Sequence, residues 1–328
     1  MNDQDVKPLE DVNVELLYGH FEDDKSKSYK GRTNQLGEFT AEDEIIFSTV
    51  LWLNKNKYYS IRKDSLLSMV PEKNRQNVSH EITFTMRQIK SPIPLYGKVV
   101  NRAIPEQDKP IGYDLLIGDW VKPYGKGDNG DFFVSYNNKC DGFKDGRKLD
   151  ELIKLVKDGH LNNPSSKESY FDGLKRFYEK EQDYTYEDGA YQSMGHWNGK
   201  IQITFPNKDE GIIEVKDGFH SYSELTMPHE APENGYQVDW NREEDNAGAR
   251  LTSSEIGYFL RTRVKHDEKG KIVSANYSKI VTDFNFDPRG RLEFSYLFNP
   301  TPNDRNLEFD PKKNLFKNLE FREEIRKP

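Results

Sequence analysis

From Lys200 to Phe298 the chain repeats one pattern, short runs that alternate apolar and polar residues and close on glycine, proline or aspartate. The runs are KIQITF, GIIEVK, GYQVDW, GYFLRTRVKH, KIVSANYSKIVTDFNF and RLEFSYLF. Successive side chains of a strand point to opposite faces, so period two in β-branched and aromatic residues marks half-buried strands. The connectors agree. Asp267-Glu268-Lys269-Gly270 has the form of a turn ending at glycine. Asp287-Pro288-Arg289-Gly290 puts proline where its fixed φ suits the second turn position and aspartate where it accepts from the turn backbone. Regular short strands with such turns favour antiparallel, sandwich-like sheets over an α/β fold.

The pattern also occupies the N-terminal third, in VNVELLY, IIFSTVLWL and EITFTMRQI, with Glu22 to Glu44 as a charged connection. SPIPLYG, from Ser91 to Gly97, carries prolines that stiffen it and remove backbone donors, which suggests a boundary. The expected organisation is an N-terminal β-rich module over residues 1–92 and a C-terminal β module over 93–328. Within the latter the period changes. Leu149, Leu152, Ile153 and Val156 follow helical spacing before Gly159, and Ser165 with Glu168 fits a capping box ahead of Phe171, Leu174, Phe177 and Tyr178. A small two-helix insertion is therefore expected at about 146–182. Asp310-Pro311 predicts a further short helix reaching Phe316.

Composition narrows the function classes. Aromatics make up 12% of the 328 residues, so the cores should be built on rings. The net charge of −8 makes nucleic acid a poor partner. The single cysteine, Cys140, rules out an internal disulfide and a cysteine-rich zinc site. The seven histidines show no H-x-x-x-H pair. The longest apolar run, Ile45 to Leu53, is about half of what a membrane-spanning helix requires. No apolar leader follows Met1. The reading is an extracytoplasmic chain, periplasmic or surface-bound, if a leader has been removed, and a cytoplasmic one otherwise.

No G-x-S-x-G turn, no Gly-Lys-Ser/Thr phosphate loop and no G-x-G-x-x-G is present. No cofactor is expected, with calcium as the one candidate ion. Asp128, Asn129 and Asp131 share a glycine-rich loop, with Asp141 and Asp145 close behind, and hard oxygen ligands suit that cation. The positive lead is aromatic. Trp120 and Tyr124 flank GDWVKPYGKGDNGD, Trp197 sits in MGHWNGK, and Trp240 ends YQVDW before NREED. A ring beside amides and carboxylates can stack on a sugar face while its neighbours bind hydroxyls. These residues point to a non-enzymatic binding module of a bacterial cell envelope, its partner a glycan or another surface protein. The alternative is a glycan hydrolase with a carboxylate pair assembled across strands, for which Glu214, Glu224, Asp239 and Asp283 are examples.

Overall fold

A computed structural model describes residues 7–19, 26–42, 48–66, 80–143, 195–217, 219, 222–245, 255–288 and 290–328. They form three antiparallel sheets. Among the described residues no helix reaches seven residues, and none is long and apolar enough to cross a membrane. The expected helices at 146–182 lie outside the described residues.

The first sheet orders β2 (Ser26–Arg32), β1 (Asn13–Gly19), β3 (Ser48–Asn54) and β4 (Ile61–Asp64) side by side. Its register explains its core: Val14 lies opposite Leu53 and Leu16 opposite Leu51, while Leu53 also faces Ile61. One face of every strand therefore closes over Met86, with Phe39, Phe84 and Tyr222 packed around it.

A six-stranded sheet runs β10 (Gly211–Lys216), β12 (Ile256–His266), β13 (Ile272–Ile280), β15 (Arg291–Asn299) and β14 (Asn285–Asp287), with β5 (Tyr96–Ala103) on the other side of β15. The five-stranded sheet orders β11 (Asp239–Asp245), β9 (Gly195–Thr204), β8 (Phe132–Phe143), β6 (Ile111–Asp114) and β7 (Asp119–Trp120). Tyr113, Phe132, Ile201 and Ile203 from the latter meet Tyr258, Phe294 and Tyr296 from the former, with Phe284 just ahead of β14, in one core. Rings dominate it: Tyr113 stacks on Phe132 at 5.6 Å and meets Phe294 edge-on at 5.4 Å, and Phe284 links Phe294 to Tyr258.

The opposite face of the six-stranded sheet is buried too. Phe259, Ala275, Tyr277 and Leu297 pack under Leu95, Met227, Leu307 and Phe309, which come from irregular segments. That double burial removes alternation from the centre of the sheet, so Ser278 and Lys279, on opposite faces of β13, are both buried.

The turns follow their residues. Gly270 N–H donates to Asp267 at 3.0 Å and Gly290 N–H to Asp287 at 2.8 Å, both glycines at positive φ. Three expectations are corrected. EITFTMRQI forms no strand, only bridges such as Gln88 with Tyr58. The charged connection at 22–44 contains β2, an edge strand whose polar side chains hide its period. The helix after Asp310 is a single 3-10 turn, Pro311–Lys313, with the Asp310 carboxylate accepting from Lys312 N–H.

Candidate functional site

The connection from β7 to β8 is held on all sides by backbone bonds. Tyr124 N–H donates to Val121 at 3.1 Å, Lys122 N–H to Gly127 at 3.0 Å, and Gly127 N–H to Trp120 at 2.9 Å. Buried Asp114 accepts from Asp128 and Asn129 N–H through one oxygen and from Leu116 and Ile117 N–H through the other. Gly125 is required by close approach, since a Cβ there would stand 2.3 Å from the Trp120 carbonyl oxygen. The apex of this fixed loop is Tyr124, exposed at 37%.

Tyr124 donates its hydroxyl to Glu106 Oε1, and Glu106 also pairs with Lys109. The Lys109 bond, followed by that of Tyr124, holds the Glu106 carboxyl below its usual range, while Glu106 raises both Lys109 and the Tyr124 phenol. Lys122 and Asp128, both solvent-exposed, pair at 2.7 Å on the same loop. The result is an exposed ring whose hydroxyl is oriented by a carboxylate, with two ammonium groups and a second carboxylate nearby. Such a set can stack on an apolar sugar face and bond its hydroxyls.

Trp120, four residues earlier, has a different environment. It is 3% exposed and lies edge-on to Tyr113 at 5.2 Å inside the shared core, so its ring presents no face to a ligand. Strand β7 turns that side chain inward, whereas the loop turns Tyr124 outward.

Asp128 and Asp131, the two calcium candidates, point in opposite directions. Asp131 faces inward, where Arg263 binds it through Nε at 2.7 Å and Nη2 at 2.9 Å and reaches Asp114 at 2.8 Å, and Leu115 N–H donates to it as well. A guanidinium thus pairs with Asp131 on the inner side, while Asp128 points out to Lys122. Burial pushes the Asp131 carboxyl up and Arg263 opposes that. Among the described residues no group of three or more His, Cys, Asp and Glu side chains is placed to hold a metal ion. The side chain of Asp141 and all of Asp145 lie outside the described residues.

Trp240 lies on β11 where the edges of the two larger sheets meet. It is half-buried, with Tyr258 and Phe284 against its ring at 5.5 and 5.3 Å, Arg242 at 5.2 Å, and its indole N–H donating to Glu214 at 3.2 Å. Neighbours thus crowd the ring. Trp197 pairs with Cys140 across β9 and β8, and its side chain lies outside the described residues. Of the acids, Asp283 accepts Arg242 through both oxygens at 2.8 Å and the Tyr258 hydroxyl at 2.6 Å. Glu224 accepts Ser60 N–H, and Asp239 is exposed on the β11 edge.

A hollow of about 600 Å³ near the C-terminus, lined by Asp310, Lys312, Phe316, Glu324 and Arg326, mixes both signs of charge. Sequence reasoning missed Glu106 and Lys109, although their i,i+3 spacing beside a proline turn was a usable signal. Arg263 gave none, because its partner Asp131 is 132 residues away. Comparison with protein-family models, with curated proteins and with solved structures finds no match for this chain.

Proposed function

We propose that the chain is a non-enzymatic binding module of a bacterial cell envelope, with the Tyr124 loop as its contact point and a glycan or another surface protein as its partner. One observation carries this reading: an exposed ring at the apex of a loop whose backbone is already fixed, with Glu106 and Lys109 set against its hydroxyl. A preorganised contact loses little ordering entropy on binding. Envelope location rests on the aromatic, cysteine-poor β composition. Genomic sequence upstream of Asn2 tests it, since an encoded apolar leader is either there or not.

The rival reading, a glycan hydrolase, draws less support. Glu214 and Asp283 both act on the Tyr258 hydroxyl, but Asp283 is already bonded to Arg242 through both oxygens. A glycan-array screen with product analysis separates the two. Retention of intact ligand, weakened by about 1–3 kcal/mol in Tyr124→Ala as for an interface anchor, is the expected result. Product release would overturn the binding reading, and an array without hits would shift it to a protein partner.

A further inference from the structure

Lys279 is 0% exposed, and its Nζ has no hydrogen-bond partner among the described residues. Its cross-strand neighbours, Phe259 and Leu297, are apolar. The charged groups whose fields reach it belong to segments outside the strands, Arg87, Asp217 and Glu308, each at most 7% exposed. Both carboxylates are already engaged. Asp217 accepts Arg87 at 2.7 Å and Phe219 N–H at 2.9 Å. Glu308 accepts the Tyr59 hydroxyl at 2.7 Å and the N–H groups of Lys90 and Ser91, with the His229 ring nitrogen 3.8 Å away.

That arrangement is one of the attachments of the N-terminal sheet. Tyr59 precedes β4, Tyr59 N–H donates to Arg87, Arg62 N–H donates to Tyr222, and Ile61 bridges Ser223. An ammonium at Lys279 needs an acceptor, and its acidic neighbours are the ones holding this junction.

We propose that Lys279 is a proton-operated latch: as a neutral amine it leaves Glu308 to anchor the N-terminal sheet through Tyr59, and when protonated it draws Glu308 away and loosens that sheet. Burial, reinforced by the like charge of Arg87, pushes the amine down to about 7 against the pull of Glu308 and Asp217. The latch therefore turns over near neutral pH, with the proton supplied by solvent during local opening.

The test uses the full chain with ¹³Cε-labelled lysine, titrated by NMR, beside amide exchange of residues 59–64 corrected for intrinsic rates. One lysine resonance, missing from Lys279→Met, should titrate near neutrality rather than near the ordinary lysine value of about 10.4. Exchange over 59–64 should quicken by up to about fivefold between roughly pH 8 and pH 6, the scale of one buried hydrogen bond, and Lys279→Met should abolish that response. A Lys279 signal that titrates with the others overturns the proposal, as does an identical pH response in the variant. Should Lys279→Met fail to fold, Tyr59→Phe provides the second arm. Without the hydroxyl the pH response of exchange should vanish, and its persistence overturns the latch.

Discussion

The clamp at Arg263 and the junction at Lys279 bury the same kinds of group and resolve them in opposite ways. At the clamp one guanidinium spans two carboxylates, and Asp114 and Asp131 fill their remaining lone pairs with backbone N–H groups. At the junction two cations meet two carboxylates, yet among the described residues Arg87 is bonded to one of them and the Lys279 amine finds no acceptor. Balanced charge is therefore a poor guide to whether a buried cluster is satisfied. Geometry decides it. A planar guanidinium with several fixed donors reaches two acids at once, whereas the single nitrogen at the end of a lysine stem must be met where it stops.

The largest effect that would break this contrast is at the clamp. Arg263→Ala leaves two buried carboxylates without their cation, and removing one partner of a buried pair costs about 3–5 kcal/mol. Arg263 is itself partly exposed, so the lower end is expected, and denaturant unfolding measures it. A loss below about 1 kcal/mol, the scale of an exposed ion pair, would mean that the clamp is solvated and that the comparison does not hold.

Next in size, and opposite in sign, is the junction. Lys279→Met replaces an unpaired buried amine with an apolar chain of similar length, and a gain of about 1–4 kcal/mol at neutral pH is expected. The pH dependence follows from the direction of the shift. Burial takes the amine from 10.5 down to about 7, so between those values the unfolded chain binds a proton that the folded chain does not. Stability consequently falls as pH drops through that window, by up to about 1.4 kcal/mol per unit, and levels off below it. Thermal or denaturant unfolding of both proteins across the window should show this slope in the parent and its loss in the variant. Equal slopes would place the titrating group elsewhere.

Tyr59→Phe sharpens the same contrast at a smaller scale. It deletes one buried hydrogen bond to Glu308, which retains the N–H groups of Lys90 and Ser91, so a loss of about 1 kcal/mol is expected. A loss of several kcal/mol would show that the hydroxyl alone holds the N-terminal sheet in place.

How much of this was legible depended on how local each determinant was. The turns at Asp267 to Gly270 and Asp287 to Gly290 were, because their geometry is set by residues within the turn. Strand β2, SKSYKGR, was not. Its partner supplies the pairing and its exposed edge tolerates charge, so hydrophobic alternation is weak. Strand β11 was placed early, at GYQVDW, because its second half is the charged run NREED and is held by β9 rather than by its own pattern. EITFTMRQI shows the converse error: strong β propensity yields no strand where no neighbouring chain offers a continuous ladder. Within the site, Tyr124 was visible as an aromatic in a glycine-rich loop, but the burial of Trp120 depends on strands brought together from across the chain. The Tyr59–Glu308 bond joins residues 249 positions apart and has no sequence signal.

The smallest stability effect carries the functional reading. Tyr124→Ala removes an exposed ring whose hydroxyl bonds an exposed carboxylate, while the backbone bonds that fix the loop remain, so stability should change by less than about 0.5 kcal/mol. The loop depends on Gly125, Asp114 and Asp119 rather than on the ring it displays. A variant that unfolds like the parent yet binds a glycan or partner protein more weakly separates contact from scaffold. Equal affinity in the presence of such a ligand would remove Tyr124 from the interface. An unexpected stability loss of about 2 kcal/mol would instead mark Tyr124 as part of the scaffold, like Trp120 four residues before it.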